Sequence, residues 1–201
     1  MTVFITFVLD ETGSMSGTRK DTIGGFNTYV QDLNKDLSDV KFSLMKFNSS
    51  YKTWVHEDEP LASIKELTEQ TYAPSGGTPL WDAFGMAIER MERVAKKEED
   101  KVIITVLTDG EENSSTQFTA EQVKALIENH PDWAVTFLGT NMDAWHDVGK
   151  AISMIRGATL SYDSNDVVGT FSIQSNATLN FAKGTTDVSN FYSQTDEETG
   201  D

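Results

Sequence analysis

Two apolar runs constrain the fold of this 201-residue chain more than any other feature. They are Val3-Phe4-Ile5-Thr6-Phe7-Val8-Leu9 and Val102-Ile103-Ile104-Thr105-Val106-Leu107, each of strand length and almost unbroken. A strand with one wet face alternates apolar and polar residues, whereas a strand covered by helices on both faces does not. Both runs stop abruptly at polar residues, Asp10-Glu11-Thr12-Gly13-Ser14 after the first and Thr108-Asp109-Gly110-Glu111-Glu112-Asn113 after the second. Open α/β sheets bind their ligands in the crevice beyond the carboxyl ends of the strands. The two polar loops therefore fall where such a fold carries its chemistry.

The rest of the chain supplies a βαβ rhythm. Ile23, Phe26, Val30, Leu33 and Leu37 recur at helical spacing and predict a helix over 19–37, weakened by Gly24-Gly25. Val40, Phe42, Leu44 and Phe47 predict a second strand, and Tyr51 to Val55 a third that returns through a hairpin at Asn48-Ser49-Ser50. Residues 58–79 hold three of the four prolines, and Pro74-Ser75-Gly76-Gly77-Thr78-Pro79 introduces a helix from Leu80 to Lys97. Its apolar face is Leu80, Phe84, Ala87, Ile88, Met91 and Val94. Thr119-Ala120-Glu121-Gln122 has capping-box form and starts a helix over 120–129.

Further on, Trp133 to Leu138 reads as a strand, Asp143 to Lys150 as a short helix and Ala158 to Tyr162 as a short strand. A last helix opens at Asp163 or Ser164 and reaches Ala182, with Val168, Phe171, Ala177, Leu179 and Phe181 supplying core contacts. These elements predict an α/β fold: a doubly wound, mostly parallel central sheet with one antiparallel edge strand and helices on both faces. The expected organisation is one domain over 1–184 and an acidic polar tail over 185–201, disordered or loosely docked, with Phe191 and Tyr192 as incidental aromatics in it.

The formal net charge of −16 opposes a nucleic-acid backbone or an anionic membrane, both of which need a basic footprint. With no cysteine there is neither a disulfide framework nor a thiolate site. The first apolar run lacks a basic leader and is too short to span a bilayer, so the reading is a soluble, cytoplasmic protein.

Three polar loops follow strands or open helices: Asp10-x-Thr12-x-Ser14, Gly77-Thr78-Pro79 and Thr108-Asp109-Gly110. Hydroxyls and carboxylates are hard oxygen ligands, without the imidazole and thiolate that favour zinc or copper. A Mg²⁺ ion needs six oxygens at about 2.1 Å, and five side chains from three loops would leave room for water and an open position. Gly13, Gly77 and Gly110 are expected to permit tight loop geometry.

In these motifs the chain resembles a von Willebrand factor type A domain with a metal-ion-dependent adhesion site, in a stand-alone form of bacterial or phage type. The resemblance covers most of 1–182 and implies a Rossmann-like sheet. The family signature is D-x-S-x-S, then a Thr, then an Asp, which map onto Asp10, Thr12, Ser14, Thr78 and Asp109. Thr12 departs from the usual Ser but keeps the hydroxyl. By resemblance, Thr12, Ser14 and sometimes Thr78 bind Mg²⁺ directly, with Mn²⁺ or Ca²⁺ as alternatives, and Asp10 and Asp109 act largely through water. A protein partner's Asp or Glu would complete the coordination.

Two other readings stand beside a binding module. An Asp at the end of the first strand suits an aspartyl-phosphate phosphatase or phosphotransferase, but Thr12 stands where haloacid-dehalogenase-like enzymes usually place a second Asp, so the chain reads as a non-enzyme. A structural assembly protein with a vestigial metal site is the third. Glu11, Glu111 and Glu112 read as a solvated rim. Trp81 suits either core or partner surface, Asn141, Asp143 and Trp145 border the site face, and His56, His130 and His146 take surface or capping roles.

Overall fold

The computed structural model describes residues 1–96, 98–139, 159–161 and 166–192. Six strands form one sheet: β1 (Val3–Asp10), β2 (Val40–Asn48), β3 (Tyr51–Pro60), β4 (Lys101–Thr108), β5 (Ala134–Gly139) and β6 (Thr159–Ser161). Their order is β3-β2-β1-β4-β5-β6, and every pairing is parallel except β2 with β3. Among the described residues four α-helices accompany them: α1 (Arg19–Asp36), α2 (Leu80–Val94), α3 (Ala120–Glu128) and α4 (Val167–Lys183).

The unbroken apolar runs have a direct structural cause. Successive side chains of a strand point to opposite faces, and both faces of this sheet are covered. Ile5, Phe7 and Leu9 of β1 with Ile103 and Leu107 of β4 pack in the core shared with α1 and α4. Val8 of β1 with Val102, Ile104 and Val106 of β4 pack in the second core, shared with α2 and α3.

Several element ends differ from the sequence reading. β3 continues past Val55 to Pro60, because its later residues keep pairing with β2 across a register irregularity near Leu44. α2 stops at Val94, with Ala95 already extended. The Thr119 capping box forms as expected, its hydroxyl accepting from the Gln122 N–H and the Gln122 side chain accepting from the Thr119 N–H. α4 is capped by Asp166, whose carboxylate accepts the Gly169 N–H at 2.8 Å, and it ends at Gly184 in the left-handed region. The helix expected at Asp143–Lys150 and the caps at Asp163 and Ser164 lie outside the described residues.

At Gly25, α1 lies directly against the Phe171 ring of α4. A Cβ there would stand 2.1 Å from the Phe171 ring, whereas nothing lies within 4 Å of the same position on Gly24. The Phe171 ring stacks on Phe7 at 6.1 Å between centroids, so the missing side chain lets α4 reach the sheet. Beyond α4 the chain stays on the body to Tyr192. Phe191 is buried against Phe181, and the Tyr192 hydroxyl donates to Gln174 Oε1 at 2.6 Å. These two aromatics are therefore packing residues, which their polar sequence neighbours do not indicate. Among the described residues no helix is long and apolar enough to cross a membrane.

Candidate functional site

β1 and β4 are adjacent parallel strands that run on either side of the sheet's midpoint, where the strand order changes direction. That topological switch point is where doubly wound sheets open a crevice. Their register pairs Leu9 with Leu107, so Asp10 and Thr108 end their strands side by side and Asp109 follows one residue on. The first and third polar loops thus meet because two buried strands are in step.

Asp10 is completely buried and held at both oxygens. Its Oδ1 accepts the Thr12 N–H at 2.7 Å, and its Oδ2 accepts the Thr108 hydroxyl at 2.6 Å. Thr108 Oγ1 also accepts the Gly110 N–H at 3.1 Å, which ties the third loop to the same carboxylate. Burial pushes the Asp10 carboxyl up to about 6, although the bonds from Thr108 and Thr12 pull the other way; the charge of Asp109 adds to the rise. Asp109 is likewise raised by burial, opposed by the Ser14 hydroxyl beside it.

The hydroxyls converge on the same place. Thr12 Oγ1 and Ser14 Oγ are 3.1 Å apart, with Thr12 buried and Ser14 exposed. A Cβ on Gly110 would stand 2.9 Å from Thr78 Oγ1 and 3.1 Å from Ser14 Oγ. The bare Cα of Gly110 therefore leaves a small recess bordered by hydroxyls from the first and second loops. All five sequence-predicted residues, Asp10, Thr12, Ser14, Thr78 and Asp109, come to this one edge of the sheet.

Two features of this edge bear on whether a cation suits it. Asp109 Oδ1 is buried and has no hydrogen-bond partner, an arrangement that costs free energy unless something compensates it. The donors present are carboxylate and hydroxyl oxygens, the set preferred by Mg²⁺, Mn²⁺ and Ca²⁺. Among the described residues no group of three or more His, Cys, Asp or Glu side chains is arranged to hold a metal, so a cation here would depend on the hydroxyls. The residues fit such an ion.

The second and third loops are clamped by residues that sequence reasoning did not place. Asn113 Oδ1 accepts the Thr78 N–H at 2.8 Å while the Asn113 N–H donates to the Thr78 carbonyl at 3.1 Å. Glu112 is not a rim charge. Its carboxylate accepts from the N–H groups of Trp81, Ser114 and Ser115 and from the Ser115 hydroxyl, so it caps the first turn of α2 and shapes the third loop together. Asp82, fully buried, accepts the N–H groups of Thr116, Gln117 and Phe118 and pairs with Lys52 at 3.2 Å. Burial works to raise its carboxyl, yet those three N–H groups and the ammonium hold it below the usual carboxylate range.

Glu11 is also buried, and only Glu111 of the three glutamates is exposed. The geometric demand on glycine falls on Gly76, whose φ is +75°, while Gly77 and Gly110 are needed for close approach, a Cβ on Gly77 standing 2.8 Å from Asn113 Oδ1. Trp81 packs in the core shared with α2 and α3. His56 is buried, and His130 stacks on Trp133 at 3.8 Å and reaches Glu92. Asn141, Asp143, Trp145 and His146 lie outside the described residues.

Comparison with known proteins gives the chain a family. The family model for the von Willebrand factor type A domain matches residues 5–167. The chain belongs to that family. A search of curated proteins gave no match. Among solved structures, the type A chain is similar to the pilus adhesin SpaC from Lactobacillus rhamnosus GG in its open conformation, with a TM-score of 0.64 and 13% identity over 90% of this chain and 30% of the adhesin. It is similar to the vWF domain of the type V pili tip protein Mfa5 from Porphyromonas gingivalis, with a TM-score of 0.63 and 10% identity over 92% and 96% of the two chains. Manganese-loaded TRAP protein from Plasmodium vivax is a third, at 0.53 and 15% over 84% and 71%. The chain thus spans less than a third of the SpaC adhesin, and at these identities the likeness is one of fold.

Proposed function

We propose that this type A domain is a metal-dependent protein-binding module, in which Asp10, Thr12, Ser14, Thr78 and Asp109 hold a divalent cation that a partner's Asp or Glu carboxylate completes. The observation that carries the reading is the recess at Gly110. It is bordered by the hydroxyls of Thr78 and Ser14, and beside it Asp109 Oδ1 is buried without a hydrogen-bond partner. Mg²⁺ is the expected ion, with Mn²⁺ or Ca²⁺ able to use the same oxygens.

A bound divalent cation supplies positive field in an otherwise acidic protein, which lets a chain of net charge −16 attract a carboxylate. The chain's own residues do the rest. Asp10 is fixed by Thr12 and Thr108 and cannot swing, so it presents the same oxygens to the ion or to its water at every encounter. Thr78 is fixed through its backbone by Asn113. Membership of an adhesion family and the likeness to pilus proteins support a binding role over catalysis.

The test is calorimetric titration of Mg²⁺, Mn²⁺ and Ca²⁺ into metal-stripped protein beside Asp10→Ala and Thr78→Ala. Saturable one-site binding that both variants lose is expected. Binding that persists in both would place the ion elsewhere, and no binding to the parent protein would remove the metal from the reading.

A further inference from the structure

Glu11 follows Asp10 directly, yet its side chain points away from the hydroxyl cluster and into the protein, where it is 1% exposed. Oε1 accepts the Ala73 N–H, while Oε2 accepts the Tyr51 hydroxyl and lies 2.8 Å from Lys46 Nζ. Its main chain is equally engaged. The Glu11 N–H donates to the Phe47 carbonyl at 2.9 Å, and the Glu11 carbonyl accepts the Ser75 N–H at 2.9 Å. On either side, the Tyr72 hydroxyl donates to the Asp10 carbonyl at 2.6 Å and the Gly13 N–H donates to the Gly76 carbonyl at 3.0 Å.

Residues 10–13 are therefore zipped to residues 72–76 by four bonds in sequence order. The first of these stretches carries Thr12 and leads into Ser14; the second leads into Thr78. Whatever sets the separation of the two stretches also sets the separation of the first-loop hydroxyls from the Thr78 hydroxyl. The Glu11 carboxylate also reaches β2, through Lys46, and β3, through Tyr51. A buried ion pair adds little net stability over an apolar replacement. Its effect here is orientational, because donors from three separate segments converge on one carboxylate and leave it a single position.

We propose that Glu11 is a positioning residue for the divalent cation: anchored by Lys46 and Tyr51, its carboxylate fixes the second loop against the first and so sets the spacing of Thr12 and Ser14 relative to Thr78. This rests on the metal reading given above. The position predicts a division of labour in the first loop, in which Asp10 faces the ion and its neighbour faces the scaffold.

The test compares the parent protein with Glu11→Ala and Glu11→Gln, using two readouts. In metal-free protein, amide hydrogen exchange at Gly13, Ala73 and Ser75 is expected to rise at least tenfold in Glu11→Ala, while Gly110 and Asn113, held by Thr108 and Thr78, keep their rates. In Mn²⁺ titrations at a temperature where all three proteins are folded, Glu11→Ala is expected to bind at least tenfold more weakly. Glu11→Gln, which keeps an acceptor for the Ala73 N–H, should recover part of the loss.

A merely structural role would lower the thermal midpoint of Glu11→Ala and leave the Mn²⁺ affinity of the folded protein unchanged; that result would overturn the proposal, as would unaltered exchange. Failure of the parent protein to bind Mn²⁺ would instead overturn the metal reading, with the exchange data still reporting whether Glu11 holds the loops. If Glu11→Ala does not fold, Lys46→Met with Tyr51→Phe removes the anchors and keeps the carboxylate, and the same two shifts are expected in smaller measure.

Discussion

The Thr108 hydroxyl donates to Asp10 Oδ2 at 2.6 Å across the boundary between β4 and β1, joining the last residues of the two central strands. Both residues are buried, so no water substitutes for the bond. Thr108→Val keeps the shape and removes the donor, leaving a buried carboxylate oxygen unpaired at a cost of about 1–3 kcal/mol. Urea denaturation of metal-free protein should show that loss, and equal midpoints for variant and parent would contradict it.

Gly110→Ala separates site from scaffold. The new methyl would press on Thr78 Oγ1 and Ser14 Oγ at 2.9 and 3.1 Å, while the backbone of Gly110 needs no positive φ. Stability should fall by no more than about 1 kcal/mol, whereas Mg²⁺ affinity should fall at least tenfold. Calorimetry beside thermal melting distinguishes the two; a variant that binds the ion as well as the parent would show that Gly110 does not border the ion.

Asp82 makes a pH prediction whose sign follows from its depressed carboxyl. The stabilisation from its ionised form is complete above the ordinary carboxylate range and is lost as pH falls through the lower value it has in the folded protein. Asp82→Asn should destabilise at pH 7 by about 2–4 kcal/mol, because Lys52 and the backbone donors of 116–118 lose their anion. The gap between variant and parent should then shrink on acidification below pH 4, and a gap that stayed constant to pH 2 would refute the assignment.

The two glycines of α1 should respond in opposite directions. Gly25→Ala drives a methyl into the Phe171 ring and should cost about 1–3 kcal/mol by overpacking. Gly24→Ala meets nothing and should stabilise by about 0.5–1 kcal/mol through helix propensity. Guanidinium unfolding of the two variants checks both, and stabilisation by both would show that propensity alone governs this helix.

Phe191→Ala should cost about 3–5 kcal/mol, since the ring is buried against Phe181 and touches Tyr192. Tyr192→Phe removes the hydroxyl that donates to Gln174, a side chain that itself donates to Thr105 on β4, and should cost about 1 kcal/mol. Chemical denaturation measures both; no change in either variant would mean that the segment after α4 is not docked in solution.

The fold was legible in residues that report local environment. Val3–Leu9 and Val102–Leu107 announce burial on both faces, and the Thr119 box announces a helix start, because periodicity and capping are short-range effects written in adjacent residues. The meeting of Asp10 with Asp109 was legible for the same reason: both follow buried strands at their carboxyl ends. Glu11, Glu112 and Asp82 were not. An acidic residue in a loop looks alike whether it faces water or receives several N–H groups, and those donors come from segments as far away as residue 73 for Glu11 and residue 118 for Asp82.

Sequence alone therefore determined the strand cores, the starts of α1, α2 and α3 and the residue types brought to the crevice, since each depends on neighbours a few positions apart; the start of α4 at Val167, behind its Asp166 cap, was not among them. Tertiary structure decided how the loops are held: which acid is buried, that Gly25 rather than Gly24 admits Phe171, and that Phe191 and Tyr192 pack instead of trailing. Those outcomes depend on which distant atoms fill the last few ångströms around each side chain, and packing of that kind is set only when all the elements are in place.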